Sequence, residues 1–212
     1  MSASPVQLIL LGPPGAGKGT QAAQVAARLG LVHISPGRIL REEAAGDSPV
    51  GRELRGRMAE GWLVDDALVD RLVRERLESL APGQGFILDG YPRTAAQARS
   101  LRDTLARLHR LSPRPLAVLL RAPPEVLVSR LAERAREQHR PDDSESAIRR
   151  RLEIDGSNTR ALREELAGWA EVIDVDADQP PDRVTEEILR ALGDQAATRI
   201  EPRSDSVFRS DR

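Results

Sequence analysis

An apolar run, Val6–Leu11, leads directly into Gly12-Pro13-Pro14-Gly15-Ala16-Gly17-Lys18-Gly19-Thr20, and an amphipathic stretch, Lys18–Leu29, follows. Few folds accommodate strand, glycine loop and helix in that order. Glycines let backbone N–H groups turn inward against anionic oxygens, and the helix N-terminus adds partial positive charge. The segment therefore reads as a phosphate-binding loop at the end of a buried strand. Lys18 strengthens the reading. The chain holds 32 lysines and arginines, and Lys18 is the only lysine among them. A compact ammonium on a flexible stem is present where the loop would meet phosphate, and arginine serves everywhere else. The two differ in hydration, shape and donor geometry, so the exception points to a chemical requirement. The general loop pattern ends Gly-Lys-Ser/Thr; here Gly19 intervenes and the hydroxyl comes at Thr20.

The remaining chain repeats the alternation. Short apolar runs at Val32–Ile34, Phe86–Asp89, Leu116–Leu120 and Val172–Val175 suit strands buried on both faces of a sheet. Helical patterns fall between them at Pro36–Ala45, Gly51–Glu60, Asp66–Leu80, Thr94–Leu108, Pro124–Gln138, Ser144–Leu166 and Pro181–Leu192. The alternation predicts an α/β fold with a five-stranded parallel sheet and right-handed crossovers. Ser35 is placed to cap a helix that starts at Pro36, Asp66 to cap the helix it begins, and Gly30 to stop the helix ending at Leu29. Residues 193–212 turn polar and read as a flexible tail.

Composition removes several function classes. The formal net charge of -1 argues against general affinity for nucleic acid or membrane. Only five residues are Phe, Trp or Tyr, so the core must be aliphatic and base-stacking platforms are scarce. Cys is absent, which excludes disulfides and cysteine-based zinc sites. The N-terminus lacks the pattern of a secretory signal, and no apolar run is long enough to span a bilayer. The expectation is a cytoplasmic monomer.

Five segments together resemble the adenylate kinase family of nucleoside monophosphate kinases. Gly12–Gln21 reads GPPGAGKGTQ, with the family's Gly between Lys and Thr. Ile34-Ser35-Pro36-Gly37-Arg38-Ile39-Leu40-Arg41 resembles Ile-Ser-Thr-Gly-Asp-x-Leu-Arg. Gly61-Trp62-Leu63-Val64-Asp65-Asp66 resembles Gly-x-Leu-Val-x-Asp. Leu88-Asp89-Gly90-Tyr91-Pro92-Arg93-Thr94, followed by Gln97, resembles Leu-Asp-Gly-Phe-Pro-Arg-Thr. Arg140-Pro141-Asp142-Asp143 and the Arg149–Leu152 run resemble the lid and post-lid arginines. The similarity spans roughly residues 6 to 192. It implies a P-loop three-layer α/β/α domain over residues 1–192. A helical acceptor-binding insertion would lie at about 35–64 and a short lid at about 135–143. Only Ala135 to His139 separate Arg134 from Arg140, which leaves no room for an inserted zinc-binding lid.

The resemblance also implies roles. Gly15, Ala16, Gly17, Lys18, Gly19 and Thr20 would bind ATP phosphates. Arg130 would pack on the adenine of ATP, Arg134 would contact phosphate, and Gln179 would lie by the loop near the ATP base. Pro36, Arg41, Trp62, Leu63, Val64, Gly90, Tyr91, Pro92, Arg93 and Gln97 would form the AMP side. Arg140 and Arg151 would close over both nucleotides. The catalytic set is Lys18, Asp89, Arg93, Arg134, Arg140 and Arg151. Residue chemistry agrees: guanidinium forks suit phosphate oxygens, and Gln97, one turn beyond Arg93, can offer a donor and an acceptor to adenine. No side chain is expected to bind metal directly. Asp89, at the end of a buried strand, would orient waters on Mg²⁺ bridging the nucleotide phosphates. His33, His109 and His139 are read as ordinary surface residues.

The implied reaction is reversible transfer of the γ-phosphoryl of MgATP to AMP, giving two ADP. Two alternatives stand beside it: a CMP, UMP or dAMP kinase, which Gln97 argues against, and a nucleotide-binding regulatory protein with little activity. The second is motivated by Pro36 in place of Thr and Arg38 in place of Asp. Arg38 would face solvent or pair with Glu42, or else loosen the metal. Asn158-Thr159-Arg160-Ala161 also departs from the family's Thr/Glu-Pro run.

Overall fold

The computed structural model describes residues 5–46, 52, 54–56, 64–138 and 145–198. Its five strands are β1 (Gln7–Leu11), β2 (Val32–Ile34), β3 (Phe86–Asp89), β4 (Leu116–Arg121) and β5 (Glu171–Asp176). All neighbouring pairs are parallel, in the order β2-β3-β1-β4-β5. The helices are α1 (Lys18–Leu29), α2 (Pro36–Ala45), α3 (Asp66–Glu78), α4 (Ala95–Arg107), α5 (Pro124–Gln138), α6 (Glu145–Ala167) and α7 (Pro181–Thr198). The expected helix over Gly51–Glu60 lies largely outside the described residues; Arg52 and 54–56 are helical.

β1 is central, and each of its five residues is buried. Alternation sends Ile9 and Leu11 into one cluster with Leu88, Leu101, Leu105 and Leu166. Leu8 and Leu10 enter the other, with Ala22, Val25, Val184 and Ile188. Helices therefore cover both faces, the arrangement that continuous apolar strands demand. Among the described residues no helix is long and apolar enough to cross a membrane.

Helix ends follow local chemistry, with two corrections. Gly30 adopts a left-handed conformation (φ 65°) and returns its N–H to Ala26 O, with Leu31 N–H donating there too, so the stop at Leu29 holds. Ser35 occupies the N-cap of α2, yet its hydroxyl makes no capping bond; it serves Asp89 instead. Asp66 does not cap α3 either. Asp65 does, accepting from Ala67 N and Leu68 N, which leaves the Asp66 carboxylate for other partners. α7 also continues past Leu192 through Gly193 to Thr198, so the helix is longer than its apolar pattern. Residues 199–212 lie outside the described residues.

One buried polar contact joins α1 to α7. The Thr185 hydroxyl of α7 lies 2.7 Å from Gln21 Oε1 and also reaches Gln24 Oε1. Gln21 Nε2 donates to Pro181 O at 2.9 Å. Thr185 and Gln21 are almost wholly excluded from solvent. Each polar atom of Gln21 thereby finds a partner that an apolar interface would deny it.

Candidate active site

Parallel pairing brings the carboxyl ends of all five strands to one edge, where ligands of such sheets bind. Register aligns Leu10 with Asp89, and Gly90 N–H donates to Leu10 O at 2.9 Å. The turn after β3 is thus fixed beside the loop after β1. At two of its glycines that loop packs so closely that a side chain is barred. A Cβ at Gly12 (φ 140°) would meet Leu120 O at 2.5 Å, and one at Gly15 (φ 85°) would meet Leu127 O at 2.7 Å. Both backbones are also left-handed, which only glycine adopts without strain.

A cavity of about 570 Å³ opens at this edge. The loop contributes Pro14, Gly15, Gly17, Lys18, Gly19 and Thr20; the start of α2 contributes Ser35, Gly37 and Arg41; the end of β3 contributes Asp89, Gly90 and Arg93; α5 contributes Arg130, Glu133 and Arg134. Five expected cations therefore converge: Lys18, Arg41, Arg93, Arg130 and Arg134. An apolar recess of about 340 Å³ adjoins the cavity, sharing Lys18, Gly90 and Arg93, and is walled by Pro92, Leu120, Leu127, Leu152 and Thr159.

The cations are held by main-chain oxygens as much as by charges. Lys18 Nζ donates to Gly12 O at 2.6 Å and Pro13 O at 2.9 Å, so the ammonium curls over its own loop. Arg93 Nε donates to Gly90 O at 3.0 Å. Arg130 donates to Ala177 O at 2.9 Å, pinning the loop after β5 to α5. In that loop Gln179 Nε2 donates to Asp176 O and to Glu187 Oε2, at 2.8 and 2.9 Å. Arg41 folds over Gly37, whose hypothetical Cβ would lie 3.3 Å from the guanidinium.

Asp89 is the carboxylate beside Lys18. Burial alone would raise its pKa. The His33 hydrogen bond, the Lys18 ammonium, the charge of His33 and the Ser35 hydroxyl outweigh burial and hold it below the ordinary value. His33 Nε2 lies 3.2 Å from Asp89 Oδ2. The reading of His33 as an ordinary surface residue is therefore corrected: it is largely buried and supports the site carboxylate. Its signal in the sequence was faint, a histidine in a three-residue strand whose partner register puts it beside Ile87, two residues before Asp89. Ser35, Gly37 and Glu133 also line the cavity without having been among the expected site residues. His109 is exposed, as expected. Among the described residues no cluster of His, Cys, Asp and Glu could hold a metal by itself.

Several expected residues stand back from the cavity. Ala16 is buried under the loop, and its N–H already bonds Pro13 O. Pro36 is buried in the first turn of α2. Val64 packs against the core. Tyr91 is 2% exposed, and its hydroxyl donates to Asp70 Oδ1 at 2.6 Å. Burial and the Asp70 carboxylate push its pKa far above the ordinary phenol value. Gln97 is buried, with both ends of its amide bonded internally. Arg38 points outward on α2, its Nε 3.9 Å from Glu42 Oε1. Trp62, Leu63, His139 and Arg140 lie outside the described residues, as does the side chain of Arg151.

Comparison with known proteins agrees with this geometry. Residues 10–166 match the family model described as adenylate kinase. A protein named adenylate kinase from Pseudarthrobacter chlorophenolicus is 40% identical over 188 residues, covering 88% of this chain and 96% of its own length. One of the same name from Xylella fastidiosa is 40% identical over 188 residues, 89% of this chain and all of its own. Adenylate kinase 1 of a Nostoc species is 42% identical over 187 residues, 88% and 98% of the two chains.

Proposed function

We propose, from the premise that this chain belongs to the adenylate kinase family, a division of labour among its residues. The chain is a phosphotransferase of that family: ATP gives its γ-phosphoryl to AMP, and two ADP result. The observation that carries the residue assignment is the convergence of Lys18, Arg41, Arg93, Arg130 and Arg134 around one cavity that also holds a single ionised strand-end carboxylate, Asp89.

In this reading the loop N–H groups and Lys18 take the ATP phosphates, and Arg130 with the Ala177–Gln179 loop borders the ATP base. Arg41 and Arg93 hold the phosphate of the acceptor. An acceptor phosphate oxygen attacks the γ-phosphorus in line, and the bond from that phosphorus to the β–γ bridging oxygen breaks. No proton must move between two fully ionised phosphates. The residues therefore act by positioning and by neutralising charge as it shifts toward the leaving oxygen. Lys18 and Arg134 face that region from opposite elements. Arg140 and Arg151 are assigned to closure over the phosphates. Pro92 and the leucines of the adjoining recess exclude water there, which limits hydrolysis.

Members of this family use Mg²⁺ with ATP. Asp89 fits that ion: it stays ionised despite burial, beside the loop, and hard oxygen donors suit Mg²⁺. It would hold the waters of an ion whose charge offsets that of the β- and γ-phosphates. The enzyme is assigned as a cytoplasmic monomer without nucleic-acid partners. The test incubates purified protein with MgATP and, separately, AMP, dAMP, CMP, UMP or GMP, and measures diphosphate formation. Fast product with AMP above the others is expected. Product with CMP or UMP instead would reassign the acceptor, and none with any acceptor would remove the activity.

A further inference from the structure

Gln97 is 3% exposed and lies four residues beyond Arg93. Its Oε1 accepts the Arg93 backbone N–H at 2.7 Å, and its Nε2 donates to Asp66 Oδ1 at 2.6 Å. Asp66 Oδ2 accepts from the Thr94 hydroxyl at 3.0 Å, and Thr94 Oγ1 accepts the Gln97 backbone N–H at 3.1 Å. These bonds close a ring across α3, the turn after β3 and the start of α4. Its polarity is set from both ends. A backbone N–H can only donate and an ionised carboxylate can only accept, so the amide has one orientation that satisfies both. A flipped amide would put nitrogen against N–H and oxygen against carboxylate.

Asp66 does not line the cavity. It is the first residue of α3, two residues after Val64, where the acceptor-side segment ends. We propose that Asp66 is a positioning residue for the acceptor nucleotide: through Gln97 it fixes both the donor–acceptor order available to the acceptor base and the backbone that carries Arg93. The inference rests on the reading above, in which Arg93 holds the acceptor phosphate, and on the expectation from the sequence that Gln97 serves the acceptor base. After the ring is closed, Gln97 retains one Nε2 hydrogen and one Oε1 lone pair, in an order Asp66 enforces. The neighbouring Asp65 has a different task, since it caps α3 and touches neither Gln97 nor Arg93 among the bonds described.

The two adjacent aspartates provide the experiment. In the full-length enzyme, Asp66→Ala is expected to raise KM for AMP about five- to tenfold, the effect of losing one good hydrogen bond. It should narrow the preference for AMP over CMP by a similar factor and leave KM for ATP within about twofold. Asp66→Asn keeps an oxygen opposite Nε2 and should recover most of the loss. Asp65→Ala should lower the melting temperature while leaving KM for AMP and the AMP preference unchanged. In a Gln97→Ala background, Asp66→Ala should have no further effect on KM for AMP. If Asp66→Ala behaves like Asp65→Ala, with a lower melting temperature and an unaltered KM, Asp66 is only structural and the proposal fails. If Gln97→Ala impairs AMP use and the Asp66 effect simply multiplies with it, the coupling is absent and the Asp66 assignment alone falls. If Gln97→Ala leaves AMP use unchanged, the acceptor-side reading of Gln97 fails, and this inference with it.

Discussion

With the nucleotides assigned as proposed, the donor and acceptor sides of the cavity are built differently. On the donor side, Lys18 and Arg130 are held by main-chain carbonyls, and Gly12 and Gly15 pack against the backbone of β4 and α5. On the acceptor side Arg93 also rests on a carbonyl, Gly90 O, but side chains hold the side chains around it: Asp66 with Thr94 and Gln97, and Asp70 with Tyr91. Backbone contacts are insensitive to which residues surround them but intolerant of added volume. Carboxylate relays are the reverse. They tolerate adjustment of shape, yet they depend on the identity and charge of each member. The donor side should therefore fail abruptly when altered, and the acceptor side by degrees.

Lys18→Arg is the harshest test of the donor side. A branched guanidinium cannot fit between the carbonyls of Gly12 and Pro13, so transfer should fall about 10²- to 10³-fold, the scale of losing one charge-stabilising donor. Circular dichroism and melting temperature should stay near those of the parent. Near-normal turnover would show that the lone lysine carries no special chemistry. Next comes Gly15→Ala, which adds a methyl 2.7 Å from Leu127 O at a left-handed backbone. Denaturant unfolding should show at least about 2 kcal/mol of destabilisation, from strain and overpacking together. A neutral result would mean the loop can move aside, and the contrast between the two sides would weaken.

Tyr91→Phe probes the acceptor side. It removes the hydroxyl that Asp70 accepts, and a bond of this charged kind is worth about 1.5–3 kcal/mol. Urea midpoints should report that loss with KM for ATP unchanged; an altered KM for ATP would mean that the two sides are not separable. Acid titration examines the carboxylate between them. The folded pKa of Asp89 is depressed, so between its folded and unfolded values the unfolded chain binds more protons, and stability rises with pH. That contribution is present above the unfolded value, near 3.8, and is lost as pH falls through the folded value. Asp89→Asn should therefore lose less stability than the parent between pH 5 and pH 2.5, measured by chemical unfolding at each pH; identical pH slopes would contradict the assigned network. The smallest effect is expected from Arg38→Ala. Arg38 is 57% exposed and 3.9 Å from its partner, so stability should shift by no more than about 0.5 kcal/mol. AMP-dependent turnover should stay within about twofold. A large rise in turnover would revive the idea that arginine at this position weakens metal binding.

The donor side was also the legible one. Apolar runs located all five strands to within one or two residues: β1, β3 and β4 are buried on both faces and need aliphatic residues, while the edge strands β2 and β5 are only partly buried and carry His33 and Asp174 within them. The glycine loop announced itself because its geometry excludes other residues. The supporting carboxylates did not. Asp66 and Gln97 are 31 residues apart, and His33 and Asp89 are 56 apart. Local patterning carries no information on such pairs. Ser35 and Asp66 looked like helix caps because their types and positions suit caps; each was recruited by a distant partner instead. Gln97 was legible as a residue that matters, while its buried amide orientation was visible only once α3 and α4 were side by side.

The contact of Thr185 with Gln21 and Gln24 has a consequence for the order of synthesis. The glycine loop leaves the ribosome well before α7 does, since Thr185 follows Gln21 by 164 residues. For most of translation, the first turns of α1 carry glutamines whose native partners do not yet exist. The loop assigned to the donor opens that helix, so a nascent chain stopped before α7 would carry the loop on a helix still lacking these partners.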